Sequence, residues 1–186
     1  PGGDWIIGID PLSSIFVLIV LVVGAASAVY GTSYMRATHR PGGRPASEVE
    51  HPGRAQYSHS LFALLLVAMA VVVTAQSTMF FLSAWELMAI GSFLVIMTEH
   101  EHAEVRRAGL IYIVTTHAGT LLLFVMFALW SRGTQDWSFA SLAAPHAGSL
   151  HGGGLLFLLA LAGFGVKAGF VPLHFWLPPA HAAASP

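Results

Sequence analysis

The sequence predicts an all-α fold, a polytopic transmembrane helix bundle of five spans belonging to a longer chain. Three observations carry that prediction. Of 186 residues 55% are hydrophobic and only 9% charged, with mean hydropathy +0.71, whereas about a quarter of a soluble domain is charged. Five apolar runs reach the ~20 residues that a helix needs to cross a bilayer core. None of them alternates apolar and polar residues as barrel strands do, and lipid admits only helices or closed barrels because every backbone polar group must be satisfied internally.

The first span runs from Leu12 to Met35. The stretch before it, PGGDWIIGID, carries two Asp and no basic residue, which argues against a signal peptide. Arg36 to Tyr57 is rich in Pro, Gly and Arg and reads as an irregular, solvated loop. The second and third spans, Ser58 to Gln76 and Ser77 to Thr98, almost touch and must form a tight helical hairpin. A short polar turn, EHEHAEVRR from Glu99 to Arg107, leads to the fourth span, Ala108 to Trp130. The fifth is Gly154 to Leu177. The chain opens on Pro1 and stops at Ser185-Pro186 just after a helical run, and it reads as a piece of a larger polytopic protein.

Arginines set the expected orientation. Arg36, Arg40, Arg44 and Arg54 share one loop, Arg106 and Arg107 another on the same side, against Arg132 opposite. By the positive-inside rule those loops face the cytoplasm and the N-terminus faces the outer side of a cell inner membrane. A net charge of −1 and a pI near 6.9 give no basic field for nucleic acid. The chain has no cysteine, so disulfides and thiolate-held metal clusters are excluded. His100 and His102, with Glu99, Glu101 and Glu104, have mixed spacing in a surface turn and read as a solvated cap, not a metal site. His39, His51, His59, His146 and His151 fall in loops or near span ends, and Trp130, Trp137 and Trp176 near the expected interfaces. No cofactor or metal is expected on the chain.

Two ionisable residues lie deep in spans, Glu86 and Lys167, the latter the only lysine. Each costs roughly 2.5 to 3.5 kcal/mol at a helix centre on insertion scales, so each needs a partner or a purpose. Counted from the outer face their depths differ by only ~8 Å at ~1.5 Å per residue, and they could meet directly or through one water or side chain. A carboxylate near the amine favours the ammonium and burial favours the neutral amine, so moving the carboxylate would load or release a proton. The alternative is an ion pair that only fixes helix register. On a continuous helix Ala160, Gly163, Phe164, Phe170, Val171 and His174 share the face of Lys167. Gly163, Gly165 and Gly169 let neighbouring helices approach closely. Pro172 lacks an N–H and should break the helix by freeing the carbonyl of Ala168. His117, between Thr116 and Thr120, is a third deep polar site, either a relay or a neutral histidine bonded across helices.

AWELMAIGSFLVI around Glu86 and GFGVKAGFVPLHFWLPPAH around Lys167, separated by one span bearing TTHAGT, together resemble the antiporter-like membrane subunits of complex I and its relatives. Within that superfamily the chain is most similar to the hydrogenase-4/formate hydrogenlyase branch. The resemblance implies that residues 1–186 are the N-terminal part of a proton-translocating domain, with a second channel half not included. It casts Glu86 as the modulating carboxylate, Lys167 as the proton-loading amine and His117 as a connecting member, with His174 near the lysine. Where the complex I L-type subunits show Arg-x-Gly-Asp, this chain has His117-Ala118-Gly119-Thr120, which favours the hydrogenase-like branch. The implied function is a membrane subunit without redox chemistry of its own, moving protons within an energy-converting oxidoreductase complex of hydrogenase or NADH:quinone oxidoreductase type. Its implied partners are other membrane subunits, a peripheral redox arm and the lipid bilayer. A sodium/proton antiporter subunit of Mrp type, and a structural membrane anchor without translocation, stand as alternatives.

Overall fold

Asp10 starts the first helix. Its Oδ1 accepts the Ser13 backbone N–H at 2.6 Å and Pro11 occupies the first helical position, where a missing N–H removes no bond. The Ser13 backbone N–H, with its hydroxyl in support, holds the Asp10 carboxyl below the usual carboxylate range. A computed structural model describes residues 7–38, 54–132, 136–143 and 153–183. In chain order the helices are α1 (Pro11–Thr38), α2 (Arg54–Thr74), α3 (Thr78–Ile96), α4 (Ala103–Trp130), α5 (Phe139–Ala143), α6 (Gly153–Ala168) and α7 (Leu177–Ala183), with a 3-10 turn at Met97–Glu99. Among the described residues four helices, α1 to α4, are long and apolar enough to cross a membrane. The architecture is thus the expected helical membrane bundle. Most of the predicted loop between the first two spans, including Arg40 and Arg44, lies outside the described residues, as do His39, His51, His146 and His151.

The predicted hairpin forms, with α2 ending at Thr74 and α3 beginning at Thr78. Its corner is tied on both sides. Gly8 N–H donates to the Thr74 carbonyl at 2.9 Å, Thr78 N–H to the Trp137 carbonyl at 2.9 Å and Phe139 N–H to the Gln76 carbonyl at 2.9 Å. The Ser77 hydroxyl caps α3 by accepting the Phe80 N–H. These bonds satisfy backbone groups that a tight turn would otherwise leave bare in an apolar setting.

Helix α4 is the hub. Its buried residues include Ala108, Tyr112, Thr116, Gly119 and Leu123, a stripe at three- and four-residue spacing. That stripe meets α6 at a glycine crossing: a Cβ on Gly163 would stand 2.6 Å from Leu123 Cδ2 and 3.0 Å from the Gly119 carbonyl. Small residues here permit backbone contact that drives packing where lipid offers no hydrophobic gain. Two apolar clusters flank the middle of the bundle. One holds Leu82, Leu123, Met126, Phe127 and Leu142. The other holds Ile96, Val105, Tyr112, Trp176 and Ala180.

The fifth span departs from expectation. Instead of one helix from 154 to 177, α6 has 16 residues and stops at Ala168, giving about 24 Å at ~1.5 Å per residue. Gly169 takes φ +70°, a left-handed cap that glycine adopts without penalty. Phe170 N–H then reaches the Gly165 carbonyl at 2.9 Å and Gly169 N–H the Val166 carbonyl at 3.3 Å, the paired bonds of a Schellman ending. The predicted break at Pro172 therefore falls three residues early and is made by Gly169, while Pro172 lies in the following turn after a cis Val171-Pro172 bond. His174 consequently leaves the helical stripe of Lys167 and belongs to the turn that precedes α7.

Candidate functional site

Glu86 sits on α3 with 22% of its side chain exposed, and its Oε2 lies 2.8 Å from Nδ1 of His117 on α4. His117 is 59% exposed, so this pair opens on an outward face of the described helices, beside the exposed Val114 and Leu121. Glu86 Oε1 is buried and has no hydrogen-bond partner among the described residues. The carboxylate thus has one committed oxygen and one available for a second donor.

Lys167 occupies the last turn of α6, where the carbonyl end of a helix favours a cation. Its Nζ donates to the Tyr112 hydroxyl at 3.1 Å. The same nitrogen stands 5.4 Å from the Tyr112 ring centroid and 6.0 Å from that of Trp85, within the range of cation–π attraction. Among the described residues no ion pair joins Lys167 to Glu86. Glu86 lies instead with His117, and the ring of Trp85, its neighbour on α3, stands on the Lys167 side.

Of the four residues singled out in the sequence, Glu86 and His117 come together and Lys167 stands with aromatic partners, while among the described residues no hydrogen bond joins the His174 ring to any of them. His174 Nδ1 is buried without a hydrogen-bond partner among the described residues. Trp176 is not an interfacial belt residue as expected; it is 7% exposed, and its indole N–H donates to the Val166 carbonyl at 2.8 Å. Tyr112 and Trp85 carry no distinct signal of their own in sequence because aromatic residues are ordinary filling in apolar runs. The signal for Tyr112 was its place on the small-residue stripe of α4 that faces α6. In the polar turn, Arg106 Nη1 donates to the carbonyls of His100 and Glu101, each at 2.8 Å, so the basic side chain closes the corner.

Residues 75–186 match the family described as NADH:quinone oxidoreductase/Mrp antiporter, transmembrane. An uncharacterized protein of Mycobacterium tuberculosis is 38% identical over 96% of the chain, which covers 25% of that relative. Hydrogenase-4 component B of Escherichia coli is 30% identical over 97% of the chain and 25% of its own length. NADH-ubiquinone oxidoreductase chain 5 of Aspergillus niger is 27% identical over 98% of the chain and 26% of its own length. The chain therefore spans about a quarter of the length of these relatives.

Proposed function

The chain belongs to the NADH:quinone oxidoreductase/Mrp antiporter membrane family, and from that premise we propose that it is part of a proton-translocating subunit of an energy-converting oxidoreductase complex of hydrogenase-4/formate hydrogenlyase or NADH:quinone oxidoreductase type. The observation that carries this reading is the setting of Lys167, an amine in an apolar span at the end of a helix, held by a hydroxyl and two rings and, among the described residues, by no carboxylate. Such an amine is sensitive to any carboxylate that approaches or withdraws, because approach favours the ammonium and withdrawal favours release of its proton. Glu86 is the carboxylate suited to that part. Its Oε2 is held by His117 and its Oε1 has no donor among the described residues, so a side-chain movement that trades the His117 contact for one with Lys167 changes the lysine's charge balance. His117 carries the proton onward in this scheme, and the buried Nδ1 of His174 is a further station beyond the break in α6.

Redox chemistry in a peripheral arm would drive the exchange, with protons as cargo and other membrane subunits as neighbours. The chain itself holds no cofactor in this reading. It lies in the cell inner membrane with its arginine-rich loops on the cytoplasmic side.

Replacement of Lys167 by Met, or of Glu86 by Gln, in the full-length protein tests the reading through redox-linked proton uptake by inverted vesicles. Assembled complexes should lose uptake while retaining electron transfer. Assembled variants that pump at the wild-type rate would return these residues to a purely structural role. The family's inclusion of Mrp antiporters favours a second reading, a sodium/proton antiporter subunit using the same residues. Uptake that requires a sodium gradient and ignores reductant would select it.

A further inference from the structure

Two aromatic residues, Tyr112 and Trp176, close a ring of contacts with Lys167 and Val166. Lys167 Nζ donates to the Tyr112 hydroxyl at 3.1 Å. The Tyr112 ring meets Trp176 edge to face at 5.2 Å between centroids. Trp176 donates its indole N–H to the carbonyl of Val166 at 2.8 Å, and Val166 precedes Lys167 in the chain. Tyr112 is 4% and Trp176 7% exposed, so the aromatic part of the ring is buried, while Lys167 is half-buried. The Val166 carbonyl, one of those that a helix end leaves without an intrahelical donor, also accepts Gly169 N–H, the residue that ends α6.

We propose that Tyr112 is a positioning residue for Lys167, and that Trp176 ties that position to the turn that ends α6. The inference rests on the reading of Lys167 as a proton carrier. A phenol suits the task because it both accepts and donates. While the lysine is an ammonium, Tyr112 oxygen accepts from it. Once the ammonium has passed its proton to the next acceptor, the neutral amine has a lone pair and the Tyr112 O–H can turn to donate to it. No proton is gained or lost by Tyr112 in either state. The contact reverses its polarity without breaking, so the nitrogen stays in place through the cycle. Trp176 holds the carbonyl beside the lysine and braces the Tyr112 ring from the α7 side, which keeps the amine at a fixed height relative to the broken helix.

The test uses the full-length protein in its complex, with redox-linked proton uptake measured across a range of pH for wild type, Tyr112→Phe, Trp176→Phe and Lys167→Met. Tyr112→Phe keeps both ring contacts and removes only the hydroxyl. It is expected to assemble normally, to slow uptake about tenfold, the effect of a lost hydrogen bond to a charged group, and to displace the pH–rate profile. Trp176→Phe keeps a ring against Tyr112 and removes the indole donor; a smaller displacement is expected, and it decides the matter if Tyr112→Phe does not assemble. A Tyr112→Phe profile identical in shape and position to wild type, at whatever rate, overturns the positioning role while loss of uptake in Lys167→Met leaves the proton-carrier reading intact. Full uptake in Lys167→Met overturns both together.

Discussion

The two half-buried ionisable groups within the apolar helices of this bundle are housed in opposite ways. Glu86 meets His117 at an open face, where the imidazole is 59% exposed. Lys167 is partly enclosed by Tyr112 and Trp85 where α6 ends against α4. The difference teaches that a charge in a membrane span can be accommodated by a polar partner that exchanges readily, or by a hydroxyl and π-faces that hold it still.

The largest expected effect breaks the enclosed half alone. Gly163→Val would push a side chain into Leu123 and the Gly119 carbonyl, forcing α4 and α6 apart at a cost of about 1–3 kcal/mol or more. Thermal unfolding in detergent should show a lower midpoint, and an unchanged midpoint would mean that the glycine crossing is not close. Next comes a double-mutant cycle on stability. Glu86→Gln with His117→Ala should show a coupling of about 1 kcal/mol, reduced by the exposure of the imidazole, whereas Glu86→Gln with Lys167→Met should be nearly additive. Stronger coupling to Lys167 than to His117 would reverse the assignment of resting partners.

The smallest effect concerns Asp10, a carboxylate outside the spans that serves as a reference for one in full contact with solvent. Its carboxyl is held low by the Ser13 N–H, so its stabilisation of α1 is present above the ordinary carboxylate range and fades as pH falls through the lowered folded value. Asp10→Ala should therefore lower the unfolding midpoint slightly near neutral pH and not in strong acid. A difference that persists unchanged in acid would show that the ionised cap is not its source.

Much of the fold was legible because length and hydropathy suffice to identify spans, and Gln76-Ser77 left no room for anything but a hairpin. The contacts that Glu86 and Lys167 make were not legible. Counting residues from an expected membrane face carries no information on the rotation of α3 about its axis, and that rotation decides which neighbour the carboxylate meets. The fifth span was misread for a related reason: Pro172 is the conspicuous helix breaker, yet the left-handed turn at Gly169 acts first and needs only a residue without a Cβ. That early stop places Lys167 in a final turn and brings Trp176 back to Val166. An apolar run by itself carries no mark of such a return.

The most direct measurement is redox-linked proton uptake by the assembled full-length protein carrying Lys167→Arg. An arginine keeps the positive charge that packing or an ion pair would need but does not give up its proton in proteins. The account predicts an assembled complex that transfers electrons and does not take up protons. Uptake at the wild-type rate would contradict it, because charge alone, and not proton loading, would then be what position 167 supplies.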